Sequence, residues 1–336
     1  MMIHKLPIQL FAVGIVSLLV IGCSKEEPAS TGTSGTSTAS TSTDKKPLQL
    51  AFVTNNASDY WTIAKKGVEA AEKEDPSVTV DFRMPANGSA AEQKEIIDDL
   101  LTKGVQGFAI SPKDPDNQTQ LLDDAAKKAL VFTQDSDAAK SDRTCYIGTD
   151  NIAAGKQAGA EIIKACPNGG KVIFFVGSKD AQNAHDRYAG IVEALKGSKM
   201  IVGDTRTDEA DHGKAKSNVA DAIVKDPDVA CLVGIWSYNG PAIRDALKDA
   251  GKLGKIKVVC FDEEPGTLDG IKDGSISATI VQHPYLFGKE AVEMMAKYIR
   301  GDKTVVPADK LKIIPTRIIT SSNLGEFQAT LAKERS

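Results

Sequence analysis

The sequence lacks several features that would point to a metal centre or a nucleic-acid partner. It has only 4 histidines and 5 cysteines in 336 residues, and no two cysteines have Cys-x-x-Cys spacing. Aromatic residues make up 5% of the chain, and no basic run accompanies its net charge of −4. We therefore expect no metal, no other cofactor and no nucleic acid.

A hydrophobic run long enough to cross a membrane is also missing. The apolar run from Leu10 to Ile21 has 12 residues, whereas a membrane-spanning helix needs about 20. It follows the basic residue Lys5, which is typical of a signal peptide. The tetrad Val20-Ile21-Gly22-Cys23 resembles the bacterial lipobox, which predicts cleavage before Cys23 and lipidation of its sulfur. A cleaved signal peptide with an incidental cysteine is the alternative.

Residues 23–46 are rich in serine, threonine and glycine. Such a segment has too few apolar residues to form a core, so we predict a flexible tether after a signal peptide of residues 1–22. Together the two segments predict a lipid-anchored protein outside the cytoplasm, in the periplasm or on the outer face of the cytoplasmic membrane.

The remaining chain of roughly 290 residues is long enough for two domains. Short apolar runs alternate with helical segments, beginning with a strand at Leu48–Val53 and restarting at Lys171–Val176 after the stop signal Pro167-Asn168-Gly169-Gly170. This alternation predicts parallel sheets covered by helices on both faces. The predicted fold class is therefore α/β, with two doubly wound parallel-sheet lobes.

If Cys23 is lipidated, four cysteines remain in the folded part. Cys231 and Cys260 lie inside apolar strand-like runs, which favours a role as small buried hydrophobic residues. A disulfide between Cys145 and Cys166 remains open, because an exported location permits disulfides.

Polar and aromatic side chains follow the predicted strands of both series. In doubly wound sheets ligands bind beyond the carboxyl ends of the strands. Carboxylates and amides there suit a ligand with many hydroxyl groups, and aromatic faces suit the C–H face of a sugar ring. Local roles as helix caps, turn residues or core residues are the alternatives. The candidate ligand-binding residues are Thr54, Asn55, Ser58, Tyr60, Trp61, Asp135, Ser136, Asn183, His185, Arg187, Trp236, Asn239, Asp262 and Gln282.

Three motifs resemble those of the periplasmic sugar-binding proteins of the ribose-binding type, which are receptors of ABC importers. They are Phe261-Asp262-x-x-Pro265, the stretch from Asp273-Gly274 to Gln282, and Asp150-Asn151-x-x-x-Gly155. The resemblance covers roughly residues 47–323. It implies that Tyr60 and Trp61 stack on a sugar ring and that Asp135, Asp262 and Gln282 bind its hydroxyl groups.

The resemblance further implies two lobes joined by a three-strand hinge. Residues 48–149 with 283–311 would form the N-terminal lobe, and residues 150–282 with 312–323 the C-terminal lobe. A monomeric receptor would close around a sugar and deliver it to an ABC permease. The ribose receptors have Arg, Arg and Asn where this chain has Ser136, His185 and Trp236. These departures point to another pentose, a hexose or a cyclitol.

Functions other than an import receptor would require different sequence features. A ligand receptor for chemotaxis or for a sensor kinase would use the same module, and the sequence does not separate it from an import receptor. An exported enzyme is disfavoured, because no G-x-G-x-x-G follows the first strand and no G-x-S-x-G is present. A transcription regulator of this fold would need a basic helix-turn-helix in place of the export signal.

Overall fold

A computed structural model describes residues 45–336 of the protein. The predicted signal peptide, Cys23 and all but the last two residues of the predicted tether lie outside the described residues. Within them strands and helices alternate, and two six-stranded sheets form.

The first sheet is entirely parallel and organises the first lobe. Its strands, in spatial order, are β11 (Leu311–Ile313), β5 (Cys145–Gly148), β4 (Leu130–Gln134), β3 (Gly107–Ile110), β1 (Leu48–Val53) and β2 (Val78–Arg83). Its helices are α1 (Asp59–Glu74), α2 (Ala90–Thr102), α3 (Pro115–Ala126) and α9 (Pro284–Ile299). Strands β3 and β5 are buried along their whole length, as expected for a sheet covered on both faces.

The second sheet organises the second lobe and contains one antiparallel strand at its edge. In spatial order its strands are β12 (Arg317–Ile319), β10 (Ala278–Val281), β9 (Lys257–Phe261), β8 (Cys231–Gly234), β6 (Gly170–Val176) and β7 (Met200–Thr207). Its helices are α4 (Asn151–Ala165), α5 (Gln182–Leu195), α6 (His212–Lys225), α7 (Asn239–Asp249) and α8 (Pro265–Asp273). A last helix, α10, covers Leu324–Arg335. The predicted fold class is confirmed.

The chain passes between the two sheets three times. The crossings follow β5, β10 and β11. The expected lobe boundary between residues 311 and 312 is wrong, because all of Leu311–Ile313 pairs in parallel with Tyr146–Gly148. The chain therefore leaves the first sheet only after Ile313. Strand β12 and helix α10 were not predicted from the sequence.

Pairs of glycines bring the helices of each lobe into close contact. In the first lobe, a Cβ on Gly67 would lie 1.8 Å from the carbonyl oxygen of Tyr285, and one on Gly288 would lie 2.1 Å from that of Ala64. In the second lobe, a Cβ on Gly155 would lie 2.2 Å from the carbonyl oxygen of Arg187. The α1–α9 and α4–α5 pairs therefore pack backbone against backbone, and any side chain at these positions would force them apart.

The four cysteines of the described part are free thiols. Cys231 and Cys260 are fully buried, as expected for small hydrophobic residues. Cys145 packs in the core of the first lobe and Cys166 in that of the second, so the disulfide that the sequence left open does not form. Within residues 45–336, no helix is long and apolar enough to cross a bilayer.

Candidate functional site

Two aspartates occupy equivalent positions at the ends of central strands in the two lobes. Asp135 follows β4 and Asp262 follows β9, and both have a left-handed backbone, with φ of 59° and 68°. Their amides bond the next strand, Asp135 N to Ile147 O at 3.1 Å and Asp262 N to Ile280 O at 2.9 Å. Non-glycine residues rarely adopt this conformation, and such strain is concentrated at functional sites.

Asp135 is buried and accepts hydrogen bonds from both lobes. Ser111 Oγ donates to its Oδ2 at 2.8 Å and Tyr60 OH to its Oδ1 at 3.3 Å, both from the first lobe. Asn183 Nδ2, on α5 of the second lobe, donates to Oδ2 at 2.9 Å. The two lobes therefore meet at this carboxylate, and the structure shows the cleft closed.

Arg187 lies between the two aspartates and is itself 1% exposed. Its Nη2 is 4.0 Å from Asp135 Oδ1, and its Nη1 is 3.8 Å from Asp262 Oδ2. The guanidinium also lies over the Phe261 ring, 4.7 Å from its centroid. Nη2 has no hydrogen-bond partner among residues 45–336. One donor of a buried cation is thus available between two buried carboxylates.

The Asp150-Asn151-x-x-x-Gly155 motif explains how Arg187 is held in place. Asp150 caps α4 by accepting the Ala153 amide, at 2.9 Å. The adjacent Asn151 Oδ1 accepts Arg187 Nε at 2.9 Å, while Arg187 Nη1 donates to Ile235 O at 2.9 Å. Gly155 lets the α5 backbone at Arg187 approach α4. The motif therefore positions the cation and need not contact a ligand.

Aromatic side chains line both sides of the cleft. Tyr60 and Trp61 lie in the first turn of α1 and meet edge to face, with ring centroids 4.8 Å apart. Trp61 Nε1 donates to Asn55 Oδ1 at 3.3 Å. On the second lobe, Trp236 Nε1 donates to Asn183 Oδ1 at 3.3 Å. The ring faces are thereby oriented while their polar atoms are satisfied.

Burial shifts the acidity of the site groups. Burial raises the pKa of Asp262 to about 6, although the nearby Arg187 charge opposes the shift. Burial likewise raises the pKa of Asp135, again opposed by Arg187. The pKa of the Tyr60 hydroxyl is raised well above its usual value by burial and by the Asp135 charge. Tyr60 is therefore a neutral hydrogen-bond donor and acceptor at physiological pH.

The free space in the closed cleft is small, about 20 Å³, which is room for about one water molecule. Pockets for drug-sized ligands span roughly 300–1,000 Å³, so a ligand would need the lobes further apart than they are here, and one sugar ring would need less opening than an oligosaccharide. Within residues 45–336 a larger groove exists elsewhere, lined in part by Asp137, Asp150 and Ile313. There Asp137 is paired with Arg143, and Asp150 Oδ1 caps α4, so both carboxylates already have local partners. The buried charges therefore identify the interlobe cleft as the better candidate.

Most of the predicted site residues come together in this cleft. The following line it: Asn55, Ser58, Tyr60, Trp61, Asp135, Asn183, Arg187, Trp236 and Asp262. His185 does not, since its side chain is 69% exposed and contacts Asp186, so its expected position in the site is wrong.

The remaining predicted residues lie behind the lining and support it. Gln282 Nε2 donates a hydrogen bond to Asp262 Oδ1 at 3.0 Å. Ser136 Oγ accepts a hydrogen bond from the backbone N–H of Asn183 at 3.4 Å. Asn239 Oδ1 accepts the amide of Trp236 at 3.1 Å. Thr54 Oγ1 donates to the Asn56 carbonyl at 2.7 Å. These contacts indicate positioning roles for the four residues in this closed structure.

Four residues of the site were not among the candidates predicted from the sequence. Asn56 and Ser237 line the cleft, and each adjoins a predicted residue in the same loop. Ser111 directly follows β3, so the rule about carboxyl ends of strands could have identified it. Asn151 lies in the quoted motif, but nothing local shows that its side chain reaches Arg187.

The donor set suits a neutral ligand with several hydroxyl groups. Two carboxylates can each accept from adjacent hydroxyls, and one guanidinium can donate to hydroxyl or ring oxygens. Within residues 45–336, no three His, Cys, Asp or Glu side chains are grouped so as to hold a metal ion.

Comparison with known proteins gives concordant results. A family model described as the periplasmic binding protein domain matches residues 50–303. The ribose import binding protein RbsB of Salmonella typhimurium is 28% identical over 262 residues, which span 77% of this chain and 86% of that protein.

Two solved structures share the fold over most of their length. The solute-binding protein of an ABC transporter from Burkholderia graminis, in complex with D-arabinose, is 30% identical with a TM-score of 0.78, covering 84% of this chain and 98% of that one. A chain of the XylFII–LytSN complex is 28% identical with a TM-score of 0.76, covering 82% and 98%.

Proposed function

We propose that this chain, which belongs to the periplasmic binding protein domain family, is an extracytoplasmic receptor that binds one monosaccharide between its lobes. The observation that carries the proposal is the buried triad of Asp135, Arg187 and Asp262. It joins carboxylates from both lobes around a guanidinium whose Nη2 has no partner among the described residues. A sugar with adjacent hydroxyl groups would satisfy these groups in a cleft that closes around it.

A sugar that contacts both lobes at once would stabilise the closed form of the receptor, and this closure is the basis of the proposed function. A sugar held by Asp135 on one side and by Asp262 and Arg187 on the other gains contacts in the closed form that the open form cannot offer. The population shifts towards closure by no more than this difference in affinity. An ABC permease would then recognise the closed receptor and accept the sugar, with no chemical step on the receptor. RbsB is named as a ribose import binding protein, which supports this assignment.

The charge balance of the cleft narrows the class of sugar. Two buried carboxylates face a single arginine, so a sugar acid or sugar phosphate would add negative charge without a compensating cation. The little free space between the closed lobes favours one ring over an oligosaccharide. The structure with D-arabinose bound supports a pentose, and Trp236 offers a further aromatic surface for a hexose or a cyclitol.

The location of the receptor follows from the sequence before residue 45. We propose that Cys23 is lipidated and that residues 23–46 tether the two lobes near the membrane. A permease in that membrane would lie within reach.

A second candidate function is signalling. The similar XylFII chain is found in a complex with LytSN, so a receptor of this fold can form a complex with a second protein. The same closed cleft would then report sugar occupancy to a partner instead of a permease. Sugar binding is common to both functions, and the partner distinguishes them.

A calorimetric screen of pentoses, hexoses and cyclitols tests the proposal. We expect one or more neutral monosaccharides to bind the wild type and to raise its unfolding temperature by mass action. Asp262→Asn keeps the size of the side chain but removes an ionised acceptor, and should abolish measurable binding. Asp180→Asn, on the exposed surface of the second lobe, is the matched control. Absence of binding by every neutral sugar would refute the proposed function.

A further inference from the structure

We propose that the C-terminal helix α10 is a clasp that joins the two lobes and slows release of the bound sugar. The inference rests on the proposed function, because the closure it stabilises is closure around a sugar. Helix α10 lies beyond residue 303, where the match to the family model ends. It therefore lies outside the part of the chain that the family model matches.

The first part of α10 is fixed to the second lobe. Leu324, Phe327 and Leu331 are buried in a core cluster that also contains Ile319 of β12 and Leu268 of α8. Arg317 of β12 forms an ion pair with Glu326, at 3.4 Å. The same cluster includes Ile63 of α1, in the first lobe, so helix α10 shares a core with both lobes.

The last turn of α10 reaches the first lobe and the hinge. Arg335 Nη2 donates to the carboxylate of Asp59, the first residue of α1, and to the carbonyl oxygen of Glu263 at 3.3 Å. Lys66 of α1 donates to the carbonyl oxygen of Ser336 at 3.2 Å. One guanidinium thus bridges a residue of the first lobe and a residue of the second.

The bridge lies next to the sugar site. Asp59 adjoins Ser58, which lines the cleft, and Glu263 adjoins Asp262. Moreover, His283, in the crossing between β10 and α9, lies with its Nε2 2.6 Å from Glu334 Oε1. Opening the cleft would separate Asp59 from Glu263, so Arg335 could not keep both contacts. The bridge therefore stabilises the closed form selectively.

Removal of the bridge should accelerate sugar release. Arg335→Ala deletes the interlobe contacts, and Glu326→Ala deletes an ion pair of the same helix within the second lobe. The Arg335–Asp59 pair is about one-third exposed, so we expect a modest effect, with release from Arg335→Ala about three- to tenfold faster than from wild type. Stopped-flow release is measured with whichever of D-ribose, D-arabinose and D-allose binds the wild type most tightly. Glu326→Ala should release it at the wild-type rate.

Lys66→Ala gives a second, independent variant, since it removes the other contact between α1 and the end of α10. It too should accelerate release without lowering the free energy of unfolding of the sugar-free protein by more than Glu326→Ala does. Equal release rates in all four proteins would overturn the clasp, and so would equal acceleration by Glu326→Ala.

Small-angle X-ray scattering of the sugar-free full chain separates this inference from the proposed function. We expect a larger radius of gyration for Arg335→Ala than for wild type and Glu326→Ala, because the lobes part more often. If no sugar binds, the proposed function fails, and the scattering still decides the clasp. An unchanged radius in Arg335→Ala would then overturn it.

Discussion

Asn183 Nδ2 donates a hydrogen bond of 2.9 Å to Asp135 Oδ2, and this bond joins the two lobes across the cleft. The carboxylate oxygen that a sugar hydroxyl would use is thus satisfied by a protein amide when the cleft is closed without a sugar. An unpaired buried carboxylate would cost several kcal/mol. The amide therefore lets the lobes meet without that cost.

Asn183→Asp tests the interlobe bond. The variant has nearly the same size, but it places a second carboxylate about 3 Å from Asp135, where two like charges cannot both be ionised at low cost. We expect sugar affinity to fall by at least about tenfold, as measured by isothermal titration calorimetry. Asn87→Asp, on the exposed surface of the first lobe, is the control. Affinity equal to wild type would show that Asn183 does not couple the lobes.

Arg187 and His185 lie two residues apart on α5 but should behave differently. Arg187→Gln removes the cation between two buried carboxylates, and breaking such an arrangement costs about 3–5 kcal/mol. We expect loss of sugar binding together with a lower free energy of unfolding in urea. His185→Ala changes an exposed side chain and should alter neither quantity. A marked loss of affinity in His185→Ala would contradict the site described above.

The raised pKa of Asp262 predicts opposite effects of pH on stability and on binding. Its pKa is near 3.8 in the unfolded chain and about 6 in the folded protein. The stability it contributes is fully present below pH 3.8 and is lost as the pH rises through about 6, by at most about 1.4 kcal/mol per pH unit. Sugar affinity should rise over the same range, because the ionised carboxylate is the better acceptor.

Urea unfolding and calorimetry between pH 4.5 and 8 measure the two effects. Burial also raises the pKa of Asp208 to about 6 and that of Glu264 to about 7, so they contribute to the same stability profile. The contribution of Asp262 is therefore the difference between wild type and Asp262→Asn. If the difference in unfolding free energy between the two proteins does not vary with pH, the pKa of Asp262 lies outside this pH range.

Gly288→Ala should destabilise the first lobe. The new methyl group would lie 2.1 Å from the backbone oxygen of Ala64, so α1 and α9 must separate. Overpacking of this kind typically costs about 1–3 kcal/mol, measured by urea unfolding. Gly325→Ala is the control, because a Cβ there meets no atom within 4 Å, and alanine should stabilise helix α10 by up to about 1 kcal/mol. Equal stability of the two variants would contradict the close packing.

Cys23→Ser tests the anchor that the first residues predict. Wild-type protein expressed in bacteria should fractionate with membranes, and its mature N-terminal peptide should carry the mass of an attached lipid. The variant has no thiol to modify and should appear in the soluble fraction. Unlipidated wild-type protein in that fraction would favour the alternative of a cleaved signal peptide with an incidental cysteine.

The alternation of strands and helices could be predicted because it depends on local patterns. Buried parallel strands are continuous apolar runs such as Gly107–Ile110, and helices begin at capping residues such as Asp150. The tail was harder to predict. Strand β12 has only three residues, too few for a clear pattern. Leu324, Phe327 and Leu331 of α10 do have helical spacing, but local spacing does not show what such a helix packs against.

The sequence by itself determined which groups stand at the ends of the strands. Asp135, Trp236 and Asp262 directly follow, or lie close behind, apolar runs, and parallel strands bring such residues to one edge of each sheet. Only the tertiary structure decided which of them meet. It places Arg187 inside the cleft and His185 in solvent, because the packing of α5 on α4 selects one side of the helix. It also joins Asn183 to Asp135 and Arg335 to Asp59, since contacts between residues 48 and 276 positions apart depend on how the two lobes close.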